Sequence, residues 1–333
     1  MKNKRNVIIT AALAFVLLLA GTAFVLGLGP FNFDNEPEIF VILPDAVPLA
    51  HMSDAQAMIS SMVLTPVASG TRVDRNANAE IDFSNAADGY VMARWHGRNQ
   101  GDVRVVIVGP SNTQFQYRLN TRGDWEVFPL TEGNGNYIIR VVESVGGGRF
   151  ATTNTVRLDV TLVDEFAPFL RPNQFVNFNS TSAVVRQARE LVNGSESTLE
   201  SVGRVFGWVV DNIEYDVELA RTVQSGFVPN LERVMRDRVG ICFCYASLMT
   251  AMLRSQGIPT RLVIGYVSTN DGELYHAWIS VFTEEYGWVN DIIRFDGNEW
   301  RIMDPTFAAG ANQSADIIRF IGTGANHRAV RYN

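Results

Sequence analysis

The chain has 333 residues, of which 47% are hydrophobic and 19% are charged, and its formal net charge at pH 7 is −7. This length suffices for two domains with apolar cores, and the hydrophobic content argues against an intrinsically disordered protein. The acidic balance argues against a nucleic-acid partner, because proteins that bind nucleic acids present basic surfaces.

Residues 1–30 combine a basic start with a long apolar stretch. Three basic residues lie within the first five, and residues 7–29 contain no charged side chain. A stretch of about 20 uncharged residues can span a bilayer, and the basic flank predicts an N-terminus inside and the remaining chain outside. A cleaved signal peptide, cut near the small residues 21–23, is the alternative. We therefore expect a single-pass cell-membrane protein with an extracytoplasmic body, or else a secreted protein.

Residues 31–78 have mixed composition with three early prolines, and we interpret them as a stalk with one short helix at Asp54–Met62. From residue 79 to residue 165 the hydrophobic period is two, and short candidate strands alternate with turn-rich stretches. This pattern predicts a β-sandwich domain of the immunoglobulin-like or fibronectin-like kind. His96, which follows a tryptophan in one of these strands, is interpreted as a packing or surface histidine.

Residues 166–333 begin with a helical pattern and then return to a period of two. The predicted helices are Thr181–Val192, a second that opens with the capping box Ser197-Thr198-Leu199-Glu200, a short one at Leu231–Val239 and one that begins at Cys242. The predicted strands are Arg261–Val267, His276–Thr283, Gly287–Ile293 and Trp300–Met303. Helices followed by a run of strands predict an α+β domain with an antiparallel sheet.

The helix predicted after Gly240 begins with a cysteine. The positive end of the helix dipole and the unpaired N–H groups of the first turn both favour a thiolate at Cys242, which suits a nucleophile. The one other cysteine is Cys244. Residues two apart on a helix point to nearly opposite sides, so a disulfide between the two is geometrically disfavoured.

A nucleophilic thiol needs a base and a group that orients the base. Among the four histidines, His276 is the one that begins a predicted strand of the C-terminal half. Asp304 is the preferred orienting carboxylate, because the following Pro305 fixes the backbone beside it. Asp291 is the rival for this position.

The C-terminal half also resembles the transglutaminase-like superfamily, over roughly residues 170–333. The motifs that carry the resemblance are Gly240-x-Cys242-x-x-Tyr245-Ala246, Leu253-Arg254, Gly257-Ile258-Pro259-x-Arg261, Gly265-Tyr266, His276-Ala277-Trp278, Gly287-Trp288 and Asp304-Pro305-Thr306. The resemblance implies a papain-like fold in which Cys242 is the nucleophile, His276 the general base and acid, and Asp304 the orienting residue.

Three aromatic residues are candidates for the walls of a substrate groove. By the same resemblance, Trp278 and Trp288 can flank the acyl-binding groove, and Tyr215 can line it. A role in the hydrophobic core is the alternative for all three.

Cys244 departs from the family pattern, since related bacterial sequences often carry an acidic residue there. A small buried thiol is the first interpretation of Cys244. A thiol that resolves an oxidised Cys242 is the alternative.

No metal ion or other cofactor is expected. A zinc site built from Cys242, Cys244 and His276 is disfavoured, because the two sulfurs diverge on one helix and no fourth ligand is evident. Calcium, which some animal relatives use, is not indicated either, because the sequence has no acidic ligand loop of the EF-hand kind.

The combined prediction is cysteine-dependent acyl transfer or hydrolysis at amide bonds. The expected substrate is a peptide or protein, including cell-wall or surface proteins. The rival interpretation is a non-enzymatic surface-binding module in which the catalytic-type domain serves only as a scaffold.

Overall fold

The computed structural model describes residues 63–224, 226–269, 272–284, 287–289, 292–295, 300–302 and 327–333. For residues 267, 269, 272, 274, 292–295, 300–302 and 327 it describes the backbone alone. The described chain divides into two compact units, Leu64–Asn177 and Phe178–Tyr332. The predicted anchor, residues 31–62 of the predicted stalk, Asp291 and Asp304 lie outside the described residues.

The first unit contains two antiparallel sheets of four strands each. The strands are β1 (Val73–Arg75), β2 (Ala79–Asp82), β3 (Tyr90–Trp95), β4 (Val103–Val108), β5 (Gln114–Arg118), β6 (Glu126–Pro129), β7 (Gly135–Gly146) and β8 (Arg149–Val160). One sheet has the order β1-β2-β3-β6 and the other β5-β4-β7-β8. The predicted short strands of this region are therefore present, and β1 lies within the stretch interpreted as stalk. β1 has three residues, which are too few to show a hydrophobic period of two, so the sequence does not predict this strand or its pairing with β2.

Alternate side chains of the two sheets form the core of this unit. Trp95 and Tyr137 are fully buried, and the Tyr117 ring of one sheet meets the Phe128 ring of the other edge-to-face at 5.3 Å between centroids. His96 is exposed, and its Nε2 lies 3.2 Å from the Asn76 carbonyl oxygen. The interpretation of His96 as a surface histidine is confirmed.

The second unit contains five α-helices among its described residues. They are α1 (Ala183–Val192), α2 (Thr198–Asn212), α3 (Val217–Thr222), α4 (Leu231–Asp237) and α5 (Cys242–Arg254). Within the part of the chain that is described, none of the helices has both the length and the apolar character needed to cross a membrane.

The predicted capping signal at the start of α2 is confirmed in part. The Ser197 hydroxyl accepts from the Glu200 N–H at 3.1 Å. The Glu200 carboxylate accepts from the Glu196 N–H at 2.8 Å, one residue before the cap. Helix α3, with six residues, was not predicted, because it is too short to show a helical period.

The strands of the second unit form one four-stranded antiparallel sheet and two small pairs. The four-stranded sheet has the order β13-β12-β11-β16, where β11 is Thr260–Thr269, β12 Gly272–Thr283, β13 Gly287–Val289 and β16 His327–Tyr332. A parallel pair joins β9 (Glu214–Tyr215) to β10 (Val239–Gly240), and an antiparallel pair joins β14 (Ile292–Phe295) to β15 (Trp300–Ile302).

Two predictions for this sheet are wrong. The stretch predicted as a single strand at Gly287–Ile293 divides into β13 and β14, which lie in different sheets. The C-terminal tail, for which no strand was predicted, forms β16 and pairs with β11. Both outcomes depend on partners distant in sequence, which local periodicity does not contain.

Helix α5 is the centre of the second unit. It packs against α1, α2 and α4 on one part of its surface and against β11 and β12 on another. Every residue from Cys244 to Arg254 is buried. A helix that is apolar on all sides belongs in a core, and this burial leaves the first turn as the one accessible part of α5.

Candidate active site

Cys242 is the first residue of α5. Ile241 precedes it in an extended conformation and is the N-cap residue, but its side chain has no oxygen to accept from the first turn. The Ile241 carbonyl accepts from the N–H groups of Cys244 at 2.7 Å and Tyr245 at 3.1 Å. The Cys242 side chain is half-buried, and the cysteine is not in a disulfide. The structure therefore places an accessible thiol at the positive end of a helix, as the sequence pattern predicts.

The strand pair β9–β10 fixes the chain just before Cys242. Tyr215 lies opposite Gly240 in this parallel pair. The Asp216 N–H donates to the Gly240 carbonyl at 2.9 Å, and the Glu214 N–H donates to the Arg238 carbonyl at 2.8 Å. Residues 214–216 are therefore held beside the turn that carries the thiol.

Tyr245 connects α5 to the same segment. Its side chain is fully buried, and its hydroxyl donates to the Ile213 carbonyl at 2.5 Å. Burial raises the pKa of the Tyr245 hydroxyl above its ordinary value, so the proton needed for this hydrogen bond is retained. The bond ties the end of α2 to the first turn of α5.

Gly240 is required by a close contact with Cys244. A Cβ atom added at Gly240 would lie 2.5 Å from the Cys244 Cβ and 3.2 Å from its Sγ. Such a distance is below any normal contact between carbon atoms. The glycine thus lets Cys244 pack directly on the strand that precedes Cys242.

Cys244 points into the core, and its side chain is 2% exposed. Burial raises the pKa of the Cys244 thiol to about 12, with smaller contributions of the same sign from Cys242 and Asp216. A thiol attacks a disulfide or a sulfenic acid as the thiolate. The structure therefore favours a buried packing role for Cys244 over the role of a resolving thiol.

His276 is the fifth residue of β12, so the prediction that it begins a strand is wrong. The β11–β12 hairpin extends beyond it, to the pair Thr269 and Gly272. His276 lies opposite Gly265 and is 4% exposed. Its ring is nearly parallel to the Trp278 ring, with 6.5 Å between the centroids and 20° between the planes.

Gly265, the other glycine of the motif, makes room for the β16 backbone and for Trp278. A Cβ atom added at Gly265 would lie 2.7 Å from the end of the Trp278 ring and 2.9 Å from the Ala329 Cα. Trp278 is 1% exposed and packs with Val263. The core alternative therefore holds for Trp278, which lies beside His276 without forming an open groove wall.

The two other groove candidates have different outcomes. Tyr215 is half-buried and pairs with Gly240, which lies two residues before Cys242 in the chain. Trp288 lies opposite Phe282 on β13, six residues along β12 from His276. Six strand residues span about 20 Å, so the structure does not bring Trp288 to the histidine.

Trp288 instead packs at the far end of the sheet. Its ring lies 5.7 Å from the Phe282 ring and 3.7 Å from the centre of the Arg261 guanidinium. These contacts explain the tryptophan by packing and by a cation–π interaction.

Sequence reasoning missed a pair of phenylalanines at the cysteine turn. Phe243 follows Cys242 and is half-buried, and the Phe227 ring lies 6.5 Å from the Phe243 ring. The position of Phe243 directly after the nucleophile candidate is the signal that could have identified it. Phe227 is distant in sequence and had no such signal.

The packing of α5 against β12 brings the cysteine helix and the histidine strand into one core. Within the described parts of the chain, no group of three or more His, Cys, Asp or Glu side chains is arranged to hold a metal ion. The architecture defines a class of α+β domain, in which a central helix begins with a cysteine and packs on an antiparallel sheet that carries a histidine.

The family model for the transglutaminase-like superfamily matches residues 185–291. This part of the chain contains both Cys242 and His276, and the resemblance to that superfamily found in the sequence is confirmed. Members of the superfamily are typically cysteine peptidases or acyltransferases.

The chain is similar to three proteins of known sequence or structure. Kyphoscoliosis peptidase from Mus musculus is 28% identical over 130 residues, which cover 36% of this chain and 17% of the mouse protein. A crystal structure described as a candidate cysteine protease from Cytophaga hutchinsonii is 15% identical, with a TM-score of 0.37, and the match covers 79% of this chain and 74% of that one. Red sea bream transglutaminase is 12% identical, with a TM-score of 0.32, and the match covers 72% of this chain and 56% of that one. This chain thus matches less than a fifth of the length of the curated relative.

Proposed function

We propose that the C-terminal half, residues 166–333, catalyses acyl transfer or hydrolysis at amide bonds of peptides or proteins. The observation that carries the proposal is the half-buried thiol of Cys242 at the first residue of α5, a helix whose other residues from Cys244 onward are buried. This position presents the thiol to a substrate beside the N–H groups of a helix start. The family match over residues 185–291 supports the same conclusion.

In the proposed reaction, the Cys242 sulfur attacks the amide carbonyl carbon and its proton passes to His276. The C–N bond then breaks, His276 delivers the proton to the departing nitrogen, and a thioester remains on Cys242. Water resolves the thioester to an acid, whereas an amine resolves it to a new amide, and either route regenerates the thiol. Asp304 is proposed to orient His276.

The first turn of α5 also supplies a means of stabilising the tetrahedral intermediate. The N–H of Cys242 lies at the helix start, where Ile241 offers no competing side-chain acceptor. Backbone N–H groups at a helix N-terminus stabilise negative charge that develops on a carbonyl oxygen. We assign the Cys242 N–H as one oxyanion donor.

The cellular setting belongs to the same proposal. Residues 1–30 are proposed as a membrane anchor, the part of the predicted stalk that precedes the first unit, residues 31–63, as a stalk, and the body as extracytoplasmic, with wall or surface proteins as substrates. For residues 79–165 we propose an immunoglobulin-like or fibronectin-like domain. The chain crosses between the two sheets after β3, β5 and β6, which supports the Greek-key connections of such domains.

Alkylation of Cys242 tests the proposed thiol–histidine pair. The full-length protein is treated with iodoacetamide across a pH series, and the rate is followed by intact mass. We expect rapid alkylation at pH values where a model thiol, with a pKa of about 8.5, is still protonated. His276→Ala should remove this low-pH reactivity, and His96→Ala, at an exposed histidine of the sandwich, should not. Equal, ordinary reactivity in all three proteins would contradict the proposal.

A second experiment separates hydrolysis from cross-linking. A glutamine peptide is incubated with the full-length protein in the presence and absence of a primary amine, and products are identified by mass. Deamidation alone indicates a hydrolase, and an amine adduct indicates an acyltransferase. Reactivity at Cys242 without turnover of any peptide would favour the binding-module alternative.

A further inference from the structure

Two aromatic rings lie directly beside the proposed nucleophile. Phe243 follows Cys242 in the first turn of α5, and both side chains are half-buried. The Phe227 ring meets the Phe243 ring edge-to-face, with 6.5 Å between centroids and 61° between planes. Phe243 is the chain neighbour of Cys242, and consecutive Cα atoms are about 3.8 Å apart, so a substrate bound at the Cys242 sulfur lies within reach of the Phe243 side chain.

Val228 follows Phe227 in the same loop. Its side chain is 38% exposed, and it is the one large hydrophobic residue of the described 178–332 region with that much exposure. We call Phe227, Val228 and Phe243 the apolar wall. Single exposed apolar residues are ordinary, but here an exposed valine follows a phenylalanine whose ring contacts the residue after the proposed nucleophile.

The loop that carries Phe227 and Val228 has a defined conformation. The Phe227 N–H donates to the Gln224 carbonyl at 3.2 Å, and Gly226 adopts a left-handed φ of +83° that only glycine takes easily. Asn230 ends the loop by capping α4, where its side chain accepts from the Arg233 N–H at 2.9 Å. The backbone on both sides of Phe227 and Val228 is therefore held by hydrogen bonds.

We infer that the apolar wall is a specificity subsite for the acyl donor. It takes an aromatic or branched aliphatic side chain on the residue that carries the scissile carbonyl or on its immediate neighbour. The inference rests on the proposed function, because the side chain of an acyl donor reaches Phe243 when its carbonyl group is bound at the Cys242 sulfur. Contact with the wall removes apolar surface of both partners from water, which favours apolar over polar donors.

Two alkylating reagents with the same reactive group test the subsite directly. Iodoacetamide and N-benzyl-iodoacetamide both form a thioether with Cys242 and release iodide, and they differ by one aromatic group. We measure the ratio of their rates by intact mass at fixed pH, and a Cys242→Ser protein gives the background labelling. The ratio should fall about fivefold in Phe227→Ala and about twofold in Val228→Ser, as expected for the loss of partial burial of a benzyl group.

Val145→Ser is the matched control, because Val145 is an exposed valine of the first unit, and its ratio should equal that of the unchanged protein. If Phe227→Ala does not fold, as judged by circular dichroism, the Val228→Ser ratio decides. An unchanged ratio in a folded variant of the wall overturns the inference. Failure of the wall and failure of the proposed function are distinguishable. The iodoacetamide rate and its response to His276→Ala test the function, whereas the ratio of the two rates tests the wall.

Discussion

The two ends of α5 are built in opposite ways. At the N-terminal end, Cys242 and Phe243 are half-buried, and the N-cap residue Ile241 has no side-chain acceptor. At the C-terminal end, the Arg254 side chain is 2% exposed, and its Nε donates to the Thr260 carbonyl at 2.8 Å. One end is open to ligands and the other is closed by a buried charge.

This difference shows how a reactive turn is kept both accessible and fixed. A cation at a helix C-terminus interacts favourably with the negative end of the dipole, so Arg254 stabilises the closed end. The positive end is left without a charged partner from its own cap. It is held instead from inside, by Cys244 against Gly240 and by the Tyr245 hydroxyl on Ile213. Anchoring through the third and fourth residues leaves the first two for chemistry.

The largest expected loss of stability comes from replacing Arg254 at the C-terminal end of α5. Burial lowers the pKa of Arg254 to about 9, so the guanidinium is still protonated at neutral pH. Arg254→Met removes the donor to the Thr260 carbonyl and leaves that oxygen buried, which should lower the free energy of unfolding by about 2–4 kcal/mol. Urea denaturation measures it. Arg233→Met, at an exposed arginine paired with Asp237 at 3.3 Å, is the control and should change stability by less than about 1 kcal/mol. Equal losses in the two variants would contradict the contrast between the ends.

A smaller loss is expected from disturbing the reactive end at Gly240. Gly240→Ala places a Cβ 2.5 Å from the Cys244 Cβ, and relief of this overlap must shift β10 or α5. Overpacking of this kind costs about 1–3 kcal/mol. The control is Gly203→Ala on α2, where an added Cβ meets nothing within 4 Å. That change should stabilise the protein by about 0.5–1 kcal/mol, because alanine favours a helix over glycine. Thermal denaturation of both variants compares the signs, and stabilisation by Gly240→Ala would show that no such contact exists.

Sequence reasoning found the features of this site that depend on neighbouring residues. The start of α5 at Cys242 and the Ser197 cap of α2 follow from local signals, and both are present. The family motif located the cysteine and the histidine in one domain. The reason for Gly240 was not readable, because its contact with Cys244 depends on how β10 meets α5.

Features set by strand register or distant contacts were missed. Trp288 was a groove candidate because it belongs to a family motif. The pairing of β13 with β12 instead places it opposite Phe282, away from His276. The tail became β16 through pairing with β11, and Arg254 gave no sequence sign that it is buried. In each case the outcome depends on a contact with another helix or strand, which the local hydrophobic period and the capping residues do not predict.

A third prediction concerns the hydroxyl that ties α5 to α2. Tyr245→Phe keeps the ring in the core and removes only the donor to the Ile213 carbonyl. The expected loss is about 1 kcal/mol of unfolding free energy, the usual net value of one hydrogen bond. Chemical denaturation at neutral pH measures the loss. A variant as stable as the unchanged protein would show that the reactive end is held by Gly240 and Cys244 without this bond.

The smallest effect at neutral pH is expected for Cys244→Ala, and its pH dependence is the informative part. The pKa of Cys244 is about 12 in the folded protein, against an ordinary 9.0. A raised folded pKa means that the thiol's contribution to stability is fully present below pH 9 and is lost as the pH rises from 9 towards 12, because only the unfolded chain ionises there.

The free energy of unfolding of the unchanged protein should therefore exceed that of Cys244→Ala by less than about 1 kcal/mol at pH 7. It should fall below the variant by about pH 10, where ionisation of the unfolded thiol costs about 1 kcal/mol or more. Tyrosines with raised pKa values are present in both proteins and cancel in the difference. A difference that stays constant from pH 7 to pH 10 would mean that Cys244 is not buried as a neutral thiol, and the contrast between an accessible Cys242 and a closed Cys244 would fail.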